Sequence, residues 1–129
     1  MVRKRTGTLT ALELEIMQVV WELGEGTVEE IRSALEARGR PLAPPSIRTM
    51  LAILQEKGYA TRGKVSRAHV YRALVSEEKA KKRILKDIVE RAFAGSAASL
   101  VAALVRADMV SDQELRQIRR LIGEQSRGA

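Results

Sequence analysis

The chain contains no cysteine. That excludes disulfides, thiolate nucleophiles and thiolate metal sites. With His69 as its single histidine, it also lacks the ligands of a transition-metal centre, and no cofactor is expected. Aromatic residues make up only 3%, namely Trp21, Tyr59, Tyr71 and Phe93. The core must therefore come from Leu, Ile, Val, Ala and Met, a set that suits helices. No apolar run approaches the ~18 residues of a membrane span. After the basic start, Glu13 and Glu15 interrupt the apolar stretch that a signal peptide requires, so a cytoplasmic location is expected. No glycine-rich segment has the spacing of a phosphate cradle, and one histidine supports no Ser–His–Asp set. Glu13 and Glu15, two residues apart, lie on different helix faces. Nothing points to an enzyme.

What is present is a globular composition in 129 residues, 45% hydrophobic and 30% charged, enough for one domain and a short appendage. The net charge of +7 is unevenly spread. Residues 1–8 carry Arg3, Lys4 and Arg5, whereas residues 9–37 carry seven Glu against one Arg. Residues 38–75 carry eight basic residues, Arg38, Arg40, Arg48, Lys57, Arg62, Lys64, Arg67 and Arg72, against Glu56 alone. A basic block beside an acidic one is the footprint of a surface for polyanions. The first three basic residues read either as an arm lying on nucleic acid or as a basic terminus without a specific role.

Helical periodicity places a first helix at 10–23 on Leu12, Ile16, Val19, Val20 and Leu23, opened by a Thr10/Glu13 capping box and ended by Gly24 and Gly26. A second box, Thr27/Glu30, opens a helix at about 28–38. A proline-bearing turn leads into a third helix at about 44–57, with Ile47, Met50, Leu51 and Leu54 on its inner side. Pro45, Thr49 and Ala52 then face outward, flanked by Ser46 and Arg48. Weakly alternating stretches at 59–62 and 68–72, joined by a polar turn, predict a two-stranded hairpin whose tip carries Lys64, Ser66 and Arg67. Helix-turn-helix followed by a basic hairpin is the winged-helix order. Short outward side chains on the third helix suit close approach to a major groove, where Ser46 and Thr49 meet base edges or phosphates and Arg48 a guanine or phosphate. Arg62 and Lys64 of the hairpin suit backbone contact, and Arg67 at its tip phosphate or minor-groove contact. His69, beside the hairpin tip, reads as a surface histidine rather than a sensor, and Lys79, Lys81, Lys82 and Arg83 as a solvated face, with a phosphate-binding role as the alternative.

From Ser76 the pattern changes to three further helices, at about 77–93, 96–107 and 112–123, the last opened by a Ser111/Glu114 box. Their apolar stripes, Ile84, Leu85, Ile88, Val89, Leu100, Val101, Leu104, Leu115, Ile118, Leu121 and Ile122, are too wide for a marginal fifty-residue core. Pairing with a second copy resolves this, and folding back on the first part is the other solution. The expected organisation is a winged helix-turn-helix DNA-binding domain at 1–75 and a three-helix dimerisation region at 76–129, mainly α throughout.

The stretches LTALELEIMQVVWELGEGTVEEI, SIRTMLAILQEKGYATR, RAHVYRALVSEE and LVAALVRADMVSDQELRQIRRLI together resemble the penicillinase-repressor family over most of residues 9–123. The resemblance implies a dimeric repressor bound to double-stranded dyad operators, with Ser46, Arg48 and Thr49 in the recognition helix and Arg67 in the wing. It also implies, for some members, inactivation by a membrane sensor-protease pathway that cuts the dimerisation region. The matching bond here is Ala103–Leu104, where relatives have Asn–Phe. Pro45 stands where relatives often carry a polar or basic residue, and the C-terminal cysteine pairs of copper-responsive members are absent. Two other readings remain: a winged-helix regulator that senses a ligand through its C-terminal helices, and a winged helix serving as a protein-interaction module.

Overall fold

In the computed structural model, residues 8–128 are described; the basic stretch Arg3, Lys4 and Arg5 lies outside them. The elements run α1 (Ala11–Leu23), β1 (Glu25–Gly26), α2 (Val28–Ala37), α3 (Pro44–Glu56), β2 (Ala60–Val65), β3 (Ala68–Ala73), α4 (Glu77–Ala92), α5 (Ala97–Arg106) and α6 (Asp112–Gly128).

Helix starts follow local chemistry. In α1 the Glu13 amide donates to Thr10 Oγ1 at 3.1 Å while the Thr10 amide donates to Glu13 Oε1 at 2.9 Å. Thr27 and Glu30 repeat this reciprocal pairing at α2, as do Ser111 and Glu114 at α6. Each satisfies two amides that a helix start otherwise leaves unpaired. α3 has no side-chain cap. Pro44 and Pro45 fill its first positions instead, where a missing N–H costs nothing.

The core is assembled from α1 (Ile16, Met17, Val19, Val20), α2 (Ile31, Leu35), α3 (Ile47, Leu51, Leu54) and Tyr59, all buried. The sheet has the order β1-β3-β2, antiparallel throughout. Sequence periodicity predicted two strands, and the structure has a third: Glu25 and Gly26 pair with Arg72 and Tyr71. Two residues are too few to show alternation. Gly26 is buried in that strand, not only a helix stop, and a Cβ there would stand 3.0 Å from Leu23 Cδ1. β2 also runs on to Val65, and α6 runs to Gly128, beyond the expected end near 123.

The chain divides into two compact units, Met1–Asp87 and Ile88–Ala129. The first extends past the wing because the start of α4 belongs to it. Ala80 is fully buried there and Ile84 packs on the winged-helix core. The Trp21 indole N–H donates to the Val75 carbonyl at 3.0 Å, and the Arg83 guanidinium lies 5.1 Å from the centre of the Tyr59 ring. Burial pushes the Tyr59 phenol above its usual range. In the second unit no described residue is buried.

A buried ion pair ties the first unit together. Glu13 is 3% exposed, and its Oε1 accepts from Lys57 Nζ at 2.6 Å. Lys57 caps the end of α3 and also donates to the Thr8 carbonyl at 3.0 Å. Removing one partner of such a pair leaves the other charge uncompensated, at a cost of about 3–5 kcal/mol. Glu13→Ala, which also removes half of a capping box, is therefore expected to lower unfolding stability by at least about 3 kcal/mol in urea titration. A loss under about 1 kcal/mol, the scale of an exposed pair, would contradict a buried role for this contact.

Candidate nucleic-acid interface

The basic block at residues 38–75 sorts into two groups once folded. Four of its cations are consumed within the protein. Arg40 forks onto Glu15 at 2.8 and 2.9 Å, Arg38 meets Glu22, Lys57 meets Glu13, and Arg72 meets Glu25 at 3.2 Å. The acidic partners come from α1 and β1, so the acidic first third of the chain neutralises half of the basic block. The Arg40 guanidinium holds the Glu15 carboxyl below the usual carboxylate range. The stabilisation from this pair is accordingly complete at neutral pH and is lost as pH falls through that lowered value.

The other four are Arg48, Arg62, Lys64 and Arg67. All are exposed, and none has a hydrogen-bond or ion-pair partner among the described residues. Arg48 stands on α3. Arg62 and Lys64, two apart on β2, share one face of the sheet with their cross-strand partners Tyr71 and His69. A groove of about 400 Å³ runs between these elements, lined among others by Arg48 and Pro44 of α3, His69 and Tyr71 of β3, and Thr27 and Glu29 at the start of α2. Glu29 brings no free negative charge, because Arg32 holds it through Nε at 2.9 and 3.0 Å and keeps its carboxyl below the usual range.

On α3, Pro45, Ser46, Thr49 and Ala52 are exposed opposite the buried Ile47, Leu51 and Leu54. The Thr49 hydroxyl donates back to the Pro45 carbonyl at 3.1 Å. Its donor is thus engaged, and Thr49 offers a methyl group and acceptor lone pairs. This outer surface of small side chains has the relief for close entry into a major groove.

Val65 pairs with Ala68, closing the hairpin on Ser66 and Arg67, whose φ values are 47° and 74°. Positive φ at both central residues defines a type I′ turn, normally built from Asn-Gly. Here a serine and an arginine occupy it, at a cost of about 1 kcal/mol or more for each left-handed residue, and Arg67 is held at the apex.

The expected dimerisation residues fall into two sets. Ile84 packs on the first unit's core, and Leu85 is exposed on α4. Ile88, Val89, Leu100, Val101, Leu104, Leu115, Ile118, Leu121 and Ile122 belong to the second unit, where each is exposed or half-buried. Leu121 and Ile122 reach 62% and 61% exposure. Ala103 and Leu104 lie inside α5, half-buried, and the Ala103 carbonyl accepts from the Ala107 amide at 2.9 Å. A protease could engage that bond only after the helix opens.

His69 was not singled out for this surface. Alternation alone does not reveal which β2 residue it faces, and the register that sets it against Lys64 exists only in the folded hairpin.

A three-helix head, a recognition helix with a small-residue outer face and a hairpin bearing unpaired cations define a winged helix-turn-helix DNA-binding protein. The sequence matches the Penicillinase repressor family over residues 9–124. The chain belongs to that family and is a DNA-binding transcriptional repressor. It is similar to the methicillin resistance regulatory protein MecI of Mammaliicoccus sciuri, 25% identical over 120 residues, spanning 93% of this chain and 97% of that protein. The same protein from Staphylococcus aureus (strain N315) is 24% identical with equal coverage. Among solved structures, the DNA-binding domain of the repressor BlaI has a TM-score of 0.50 and 29% identity, covering 58% of this chain and 90% of that one.

The turn geometry predicts a separation of stability from binding. Arg67→Gly and Arg67→Ala remove the same cation, so whatever that charge contributes to DNA binding should be lost equally in both. Only glycine relieves the left-handed strain, so Arg67→Gly should melt a few degrees above Arg67→Ala, a difference of up to about 1 kcal/mol. Equal melting temperatures would contradict the type I′ turn.

Proposed function

We propose that this repressor works as a homodimer on a dyad operator, each protomer laying α3 and its wing on one half-site. Ser46 and Thr49 meet base edges, Arg48 a guanine or a phosphate, and Arg62, Lys64 and Arg67 the sugar-phosphate backbone. Two such heads match half-sites separated by one or more helical turns of ~34 Å.

One observation carries the dimer. The second unit holds many apolar side chains, yet none of its described residues is buried. A helical unit without an interior of its own finds one against a second copy, where each large aliphatic side chain buried contributes about 1.5–3 kcal/mol. Linking two heads raises affinity for a two-part operator by ~10²–10⁴ through effective concentration. Disrupting the linking helices therefore relieves repression without touching the reading surface. The sensor-protease route implied for some family members would act at this point, provided α5 opens around Ala103–Leu104. As relatives named for methicillin resistance suggest, genes of antibiotic resistance are the natural class of target.

The test uses the full chain. Leu121→Glu combined with Ile122→Glu places charges at positions exposed in a single protomer, where they cost the fold little, but within the proposed interface. The variant should sediment as a monomer, keep the wild-type circular dichroism spectrum and bind a full dyad site ~100-fold or more weakly. On a single half-site it should match the wild-type head. A variant that stayed dimeric with full affinity would refute the assignment of this face to dimerisation.

A further inference from the structure

The geometry points to His69 as a further DNA-contacting residue, one that couples operator binding to proton uptake. The inference rests on the reading of α3 and the wing as the DNA surface. His69 is exposed on β3, directly opposite Lys64 of β2, and lines the same groove as Arg48. Arg62, two residues from Lys64, shares that sheet face. An imidazole placed among unpaired cations lies where a DNA backbone brings its phosphates.

The charged groups around it agree with this role. Arg48 from α3 and Lys64 from β2 are cations without partners among the described residues. Glu29 from α2 is the acid of the groove and is held by Arg32. Glu25 of β1 is engaged with Arg72, whose register, opposite Thr61, puts it on the other face of the sheet. The groove thus sets cations around His69, and the carboxylates near it are already engaged. Bound phosphates would neutralise those cations and offer the imidazolium an acceptor, so the complex would favour the protonated ring.

Histidine is the side chain whose charge changes between pH 5 and 8. A proton held more tightly in the complex than in the free protein makes binding strongest at low pH, and affinity falls as pH rises through the range where the bound imidazole loses it. Because the chain has one histidine, the effect is open to a single substitution.

The experiment measures the affinity of the full chain at fixed salt between pH 6 and 8, using a duplex that the protein itself selects from a random-sequence pool. Wild type should bind roughly 10-fold or more tightly at pH 6 than at pH 8, since each protomer of a dimer can take up one proton. His69→Gln should bind with the weaker affinity at both pH values, and His69→Lys with the tighter affinity at both. All three should share one melting temperature, as an exposed side chain allows. A flat wild-type profile, or a pH response that persists in His69→Gln, would overturn the role of His69 while leaving the repressor reading intact. Failure to bind any selected duplex would overturn both.

Discussion

The Glu13–Lys57 ion pair is the contact on which the orientation of the reading head depends. Glu13 belongs to the first turn of α1 and Lys57 is the C-cap of α3, so one buried contact joins the start of the scaffold helix to the end of the recognition helix. Glu13 also completes the cap of its own helix, and Lys57 draws the Thr8 carbonyl into the same cluster. At the other end of the reading unit, Glu15 and Glu22 of α1 hold Arg40 and Arg38 in the connection between α2 and α3. α3 is thereby anchored to α1 through polar contacts behind it and through Ile47, Leu51 and Leu54 beneath it. A reading helix must be held within a fraction of an ångström of its working position, and this arrangement does so without using its outer face.

The same arrangement allocates charge. A basic block in a sequence does not say which of its cations are available. Here the acids of α1 and β1 engage Arg38, Arg40, Lys57 and Arg72, and folding leaves Arg48, Arg62, Lys64 and Arg67 on the recognition helix and the wing. The alternation of acidic and basic segments along the chain thus serves two ends: internal neutralisation of the scaffold, and, within residues 38–75, unpaired positive charge left only on α3 and the wing. The strained Ser66–Arg67 turn is consistent with this, since local strain is retained where geometry matters more than stability.

Much of this was legible in the sequence. The capping boxes at Thr10, Thr27 and Ser111 marked three helix starts because reciprocal hydroxyl–carboxylate pairing depends only on residues three apart. The outer face of α3 followed from helical periodicity, and the polarity of Gly63 to Arg67 located the hairpin turn but overextended it, because Gly63 to Val65 continue β2 and only Ser66 and Arg67 form the turn. What escaped was non-local. The strand at Glu25–Gly26 exists only through its pairing with β3, and the place of His69 depends on hairpin register. Ile84 carries the periodicity of the α4 stripe, yet it packs on the first unit, because periodicity identifies an apolar face without naming what covers it. The pairing of Glu13 with Lys57 spans more than forty residues and left no local trace beyond an acid at an otherwise apolar helix start.

The central claim, that folding divides the basic block into a structural half and a DNA-facing half, is tested most directly by the salt dependence of DNA binding in two sets of variants. In the proposed dimer, eight such cations facing phosphates would correspond to a slope of log affinity against log salt of about −7. Replacing Arg48, Arg62, Lys64 and Arg67 by Gln should remove most of that slope. Replacing the paired Arg38, Arg40 and Arg72 by Gln should leave it within about one unit of wild type, although the head loses stability. Equal reductions from the two sets would contradict the division.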